Sequence, residues 1–159
     1  MAQQLWLLRH GEAEPHDARP DAERRLTDRG REQARAAGCA LAALKVHVHF
    51  AFTSPRVRAR DTALLACEAL GIEPIDHAAL SAGFAVADAL ELVAAGGPDQ
   101  RVLVVGHEPD FSQVVYDLTG GRIDLKKGAI AAVRLDGAHG ELIALMRPRE
   151  LERICASAW

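Results

Sequence analysis

Leu5-Trp6-Leu7-Leu8-Arg9-His10-Gly11-Glu12 runs from four apolar residues straight into a cation, an imidazole, a glycine and a carboxylate. A continuous apolar run of strand length is what a strand buried on both faces requires. Polar residues directly after it belong to the rim beyond the strand's carboxyl end, where open α/β sheets bind ligands.

Working outward, strand-length apolar runs alternate with longer segments of helical period. Thr27 is a plausible N-cap for a helix to about Leu44, with Ala34, Ala37, Leu41 and Leu44 on one stripe. His49–Phe52 is the next strand. Ser54-Pro55 then opens a second helix, Ser capping and Pro at the first helical position, which carries Ala59, Ala63, Ala66 and Leu70 inward and ends at Gly71. Ile72–Ile75 suits a short extended piece. A third helix over Val86–Ala95 stops at Gly96-Gly97.

Val102–Val105 is the strongest strand, and Pro109 begins a helix to about Leu118 closed by Gly120-Gly121. Ala129–Leu135 and Glu141–Met146 flank Asp136-Gly137-Ala138-His139-Gly140 as a hairpin. Arg147-Pro148-Arg149 reads as a solvated turn. This order predicts an α/β fold, a three-layer α/β/α sandwich with a mostly parallel sheet and an antiparallel edge. It forms one domain over residues 1–159. The polar stretch Glu12–Arg25 is the longest loop, and loops of that length are often functional.

Composition narrows the function. The chain is 49% hydrophobic and 26% charged, as in soluble globular proteins, with a formal net charge of -3 and a pI near 6.1. That balance argues against a nucleic-acid partner. No apolar run approaches the roughly 20 residues that span a bilayer, and Met1-Ala2-Gln3-Gln4 has no basic leader character. A cytoplasmic protein without a membrane partner is expected. Cys39, Cys67 and Cys155 form no CxxC pair, and buried thiols are the expectation for all three. His47-Val48-His49 reads as a surface or edge feature rather than a metal site.

Three strands deliver similar chemistry to one sheet edge. Leu5–Leu8 leads into Arg9-His10-Gly11-Glu12, His49–Phe52 into Thr53-Ser54-Pro55-Arg56-Val57-Arg58, and Val102–Val105 into Gly106-His107-Glu108-Pro109. Two of these runs enter helices, whose N-termini add free N–H groups and a positive dipole end. Such a rim attracts a dianion. Of Arg56, Arg58 and Arg60, at least one belongs on the solvated surface.

Arg9-His10-Gly11 at the end of a first strand resembles the signature of the histidine phosphatase superfamily, the phosphoglycerate mutase-like fold. The resemblance continues in order through Leu26-Thr27-x-x-Gly30, Ser54-Pro55-x-x-Arg58-Ala59-x-x-Thr62 and Gly106-His107. Short length and the Ser-Pro-x-x-Arg-Ala-x-x-Thr form look most similar to the SixA-like phosphohistidine phosphatases. By this resemblance His10 would be the nucleophile that is transiently phosphorylated, while Arg9, Arg58 and His107 would hold the phosphoryl oxygens. Gly11, Arg24 and Ser54 would lie on the substrate-binding side, with Arg25 competing for the alignment of Arg24.

The residue types suit phosphoryl transfer, which needs an in-line nucleophile and a fixed positive cage around three oxygens. Imidazole is largely unprotonated near neutrality, and arginine grips phosphate bidentately while staying charged. Protein cations already compensate charge, so neither metal nor other cofactor is implied. Relatives that act on sugar phosphates generally carry a carboxylic acid on the loop after the second helix, to protonate the departing alkoxide. The corresponding Ala78–Phe84 has no Asp or Glu, although Asp76 and Asp88 bracket it.

A phosphoramidate needs no acid there. The expected substrate is therefore phosphohistidine on a protein, presented to a shallow open pocket. Two alternatives remain: a small-molecule phosphomonoesterase in which Glu12, Glu14 or Asp110 supplies the proton, and a phosphate- or protein-binding module without catalysis.

Overall fold

The structure, a computed structural model, describes residues 2–158; Met1, first of the segment read for a leader, lies outside them. Strand β1 (Gln3–Arg9) is followed by a long loop and helix α1 (Asp28–Ala43), then β2 (Phe50–Thr53) and α2 (Val57–Leu70). Next come β3 (Ile75–Asp76), α3 (Val86–Ala95), β4 (Arg101–Gly106) and α4 (Asp110–Thr119). The hairpin β5 (Ile130–Asp136) and β6 (His139–Met146) precedes α5 (Pro148–Ser157).

The strands form one six-stranded sheet in the order β3-β2-β4-β1-β5-β6. From β3 through β1 every pairing is parallel, and β5 and β6 add antiparallel partners at the other edge. This is the layered α/β fold expected, because the alternation of side chains along each strand splits the core in two. Leu5, Leu7, Val102 and Val104 pack with Leu92, Val93, Phe111 and Val115 of α3 and α4. Trp6, Leu8, Leu103 and Val105 pack on the opposite face with Ala37, Leu41, Ala59, Ala63 and Ala66 of α1 and α2.

Local signals place several ends. The Thr27 side chain accepts a hydrogen bond from the Gly30 N–H at the start of α1, satisfying a donor that a helix start leaves free. Gly71 and Gly120 close α2 and α4 in the left-handed conformation that glycine takes without a Cβ penalty.

Three expectations are corrected. Ser54 does not cap α2: the helix begins at Val57, and Ser54 Oγ instead accepts from the Arg56 N–H and turns to His107. Arg147-Pro148-Arg149 is not a solvated turn but the start of α5, with Pro148 in the first turn and Leu151 fully buried against the α1–α2 face.

Cys39 of α1 and Cys155 of α5 are joined in a disulfide rather than standing as two thiols, since the packing of α5 on α1 brings their Cα atoms to 5.3 Å. A disulfide is uncommon in a reducing cytoplasm, so it does not follow from the cytoplasmic expectation. Cys67 is free and buried, and burial pushes its thiol up to about 12. No helix among the described residues is long and apolar enough to cross a membrane.

Candidate active site

Because β1, β4 and β2 are neighbours, the residues beyond their carboxyl ends meet. The His10 N–H donates to the Gly106 carbonyl at 3.1 Å, and the Ser54 N–H to the Val105 carbonyl at 2.9 Å. Arg9, His10, Arg24, Arg58 and His107 all line one cavity of about 310 Å³. The two imidazole centroids are 5.3 Å apart. Gly11 and Ser54 support the cavity from behind rather than forming its wall.

The turn after β1 depends on two glycines in close approach. A Cβ on Gly11 would meet the Gly30 carbonyl oxygen at 2.5 Å, and one on Gly30 would meet the Glu12 carbonyl oxygen at 2.0 Å. The Gly11 N–H donates to Thr62 Oγ1 at 3.1 Å, and that hydroxyl donates to the Arg58 carbonyl at 2.7 Å. Thr62 thus ties the β1 turn to α2.

Hydrogen-bond direction assigns the tautomer of His10. Nδ1 lies 2.7 Å from the Gly11 carbonyl oxygen, which only accepts, so Nδ1 carries the proton and Nε2 keeps its lone pair. Burial, opposed by that hydrogen bond and reinforced by Arg58, Arg9 and Lys127, pulls the His10 pKa down to about 3. The ring is neutral near pH 7.

His107 is likewise pulled to about 3, by burial and then by His10, Arg58 and Arg56. Its Nε2 is 2.8 Å from Ser54 Oγ. Ser54 Oγ also accepts from the Arg56 N–H and still has a second lone pair and its own proton, so it pairs with Nε2 in either ring tautomer, while the other ring nitrogen, Nδ1, makes no bond to it. That Nδ1 is buried without a partner, as are Arg9 Nε and Arg58 Nε. Buried polar atoms without partners are costly.

Of the three proton donors named for the phosphomonoesterase alternative, Asp110 lines the cavity and Glu12 and Glu14 do not. Arg56, Lys127 and His16 also line the cavity, as do the carboxylates Asp21, Glu108 and Asp110. Asp110 Oδ2 accepts from the N–H groups of Gly83 and Phe84 at 2.9 and 3.2 Å, and Glu108 accepts from Ser112. The stretch Ala78–Phe84 therefore has a carboxylate beside it, supplied by α4. Of the three arginines around the start of α2, Arg58 is buried, Arg56, which precedes the helix, is half-buried, and Arg60 is exposed beside Asp76. Arg24 is buried and Arg25 exposed, which settles which of them belongs to the cavity.

Asp21, in a short 3-10 turn (Asp21–Glu23), binds three arginines at once. Its Oδ1 accepts from Arg24 Nε and Nη2 at 3.1 and 3.0 Å, its Oδ2 from Arg58 Nη2 at 3.2 Å and from Arg56 Nη1, and its carbonyl from Arg58 Nη1 at 2.7 Å. Burial raises its pKa, but the hydrogen bond from Arg24 and the charge of Arg58 outweigh that and hold the carboxyl below the usual range. No group of three His, Cys, Asp or Glu able to hold a metal ion occurs among the described residues, and His47 and His49 contact each other edge to face.

Comparison with known proteins gives the site a context. The profile of the histidine phosphatase superfamily (branch 1) matches residues 5–81. An uncharacterised protein of Picosynechococcus sp. is 31% identical over 93% of this chain and 98% of its own. The protein histidine phosphatase SixA, solved with tungstate, superposes with a TM-score of 0.83 at 28% identity, covering 93% of this chain and 99% of that one. Phosphoserine phosphatase from Entamoeba histolytica, solved with 3-phosphoglyceric acid, shares the fold at a TM-score of 0.73 and 16% identity over 94% of this chain and 99% of its own.

Proposed function

The chain belongs to the histidine phosphatase superfamily, and on that premise we propose that it is a metal-independent phosphatase that hydrolyses phosphohistidine on a protein through a phosphorylated His10. The observation that carries this reading is the His10–Gly11 hydrogen bond, which leaves Nε2 with a lone pair in a cavity lined by Arg9, Arg24, Arg56, Arg58 and Lys127.

In the first step Nε2 attacks phosphorus in line, forming one P–N bond as the bond to the substrate's ring nitrogen breaks. A substrate imidazole protonated on its other nitrogen departs as neutral imidazole and needs no acid. Water then attacks the phosphoenzyme, releasing inorganic phosphate and regenerating His10. Arg9, Arg58 and His107 would hold the equatorial oxygens, fixed before the charge redistributes. Arg9 and Arg58, with Lys127 beside them, supply the charge compensation.

The likeness to a protein histidine phosphatase and the lack of an acid within Ala78–Phe84 both favour phosphohistidine. A second reading, a small-molecule phosphomonoesterase, is favoured by Glu108 and Asp110 in the cavity wall. Both carboxylates are committed as acceptors to neighbouring N–H and O–H groups, which counts against them as proton donors.

Brief exposure to a phosphohistidine-bearing protein, followed by trapping, is expected to label wild type and leave His10→Ala unlabelled. Turnover of phosphohistidine is expected to exceed that of 3-phosphoglycerate by about 100-fold or more, the usual worth of a missing general acid. Comparable turnover selects the phosphomonoesterase. Absence of label, or equal label on the variant, selects a phosphate-binding module.

A further inference from the structure

Arg24 and Arg58 are buried guanidinium groups, and Arg56 beside them is half-buried. Three like charges converging on one wall need an anion close by. Among the described residues, the only carboxylate hydrogen-bonded to these three is Asp21. Glu108 and Asp110 are engaged elsewhere, with Ser112 and with the Gly83–Phe84 backbone. Arg9 and Lys127, also on the cavity wall, make no ion pair with Asp21. The cavity is thus divided: Arg9, His10, His107 and Lys127 remain open to a phosphoryl group, Arg58 lies between the two halves with one N–H of each Nη given to Asp21 and the other left over, and the edge made by Arg24 and Arg56 is already satisfied by a carboxylate of the protein itself.

We propose that Asp21 is a specificity-determining residue that fills the second anion position of the cavity and so excludes substrates carrying a carboxylate beside the phosphoryl group. The inference rests on the phosphoryl-site reading above and adds the class of leaving group that the site accepts. A second anion on the substrate would find Arg24 and Arg56 occupied and would meet the Asp21 charge at contact range, and like charges juxtaposed in a partly desolvated site are strongly unfavourable. A neutral or cationic leaving group meets no such penalty. An imidazole ring protonated on its distal nitrogen is attracted to the same carboxylate.

A matched ligand pair isolates the effect. Glycerol 3-phosphate and 3-phosphoglycerate differ in a hydroxymethyl group against a carboxylate, and calorimetric binding of each needs no turnover. In Asp21→Asn and Asp21→Ala, the ratio of the two dissociation constants is expected to shift towards 3-phosphoglycerate by about tenfold or more, the loss of a like-charge contact. Asp21→Glu, which keeps the charge, is expected to retain the wild-type ratio. Asp21 is about half exposed, so these replacements leave the core untouched, and inorganic phosphate serves as the check that the cage is intact.

An unchanged ratio in Asp21→Asn, with both esters gaining or losing together, overturns the proposal. So does weaker binding of both esters and of inorganic phosphate, which would make Asp21 a mere clamp for the arginines. If wild type binds neither ester nor inorganic phosphate, the phosphoryl-site reading itself fails and the inference falls with it.

Discussion

His10 Nδ1 stands 2.7 Å from the carbonyl oxygen of Gly11, and this contact within the Arg9-His10-Gly11 turn decides which ring nitrogen keeps its lone pair. Burial, which outweighs that hydrogen bond, keeps the ring neutral. Ring resonances of His10 and His107, both pulled to about 3, are expected not to titrate between pH 8 and pH 5. His10 is expected to show the tautomer protonated at Nδ1. Titration of either ring near the ordinary imidazole value of about 6.5, measured by NMR, contradicts this.

Those depressed values also set the pH dependence of stability. Between about 6.5 and about 3 the unfolded chain binds protons at both rings while the folded protein does not, so stability is lost as pH falls through this window. Above it the contribution is complete. The melting temperature is expected to fall on acidification from pH 7 to pH 4, and to fall less in His107→Gln, which removes one of the two groups. An equal or steeper fall in the variant contradicts the assignment.

Ser54→Ala removes the partner of His107 Nε2. The buried nitrogen then lacks a hydrogen bond and the ring loses its anchor, so kcat is expected to fall about tenfold with about 1 kcal/mol of stability lost. Phosphorylation of His10 itself is expected to survive. A steady-state assay with phosphoenzyme trapping separates the two effects, and an unchanged kcat contradicts the role given to Ser54.

Gly30→Ala places a methyl group where the Glu12 carbonyl oxygen already lies, 2.0 Å from the ideal Cβ position. Backbone cannot rotate away as a side chain can, so a loss of about 1–3 kcal/mol is expected, read by chemical denaturation. Activity should fall with it, because the displaced segment follows His10 directly.

The Cys39–Cys155 bond spans a sequence separation of 116, and Cys155→Ser is expected to cost about 2–5 kcal/mol by restoring freedom to the unfolded chain. The same loss should follow when reductant is added to wild type, and not when it is added to the variant. Equal stability of oxidised and reduced wild type would contradict it.

Much of the architecture is local and therefore legible. Thr27 caps α1 by bonding a group three residues away, α3 spans Val86–Ala95 as its period predicts, and the runs around Leu5–Leu8 and Val102–Val105 are strands because nothing polar interrupts them. The residues after those strands could be assigned to one rim because neighbouring parallel strands end on the same side. Helix α5 escaped, since its apolar face is narrow and its stability comes from Leu151 packing on distant α1 and α2. The disulfide escaped with it, because bonding depends on the separation of two Cα atoms and not on spacing along the chain.

Sequence by itself determined the order of strands and helices from β1 to β6, and that Arg9, His10, Arg58 and His107 follow strands on one sheet edge whose character is cationic. Tertiary structure alone decided which nitrogen of His10 holds the proton, that Ser54 faces His107 instead of capping α2, and that Asp21 gathers Arg24, Arg56 and Arg58. Periodicity and composition report which residues leave water. Hydrogen-bond direction and charge pairing depend on ångström distances between segments up to tens of residues apart, and only the folded chain sets those.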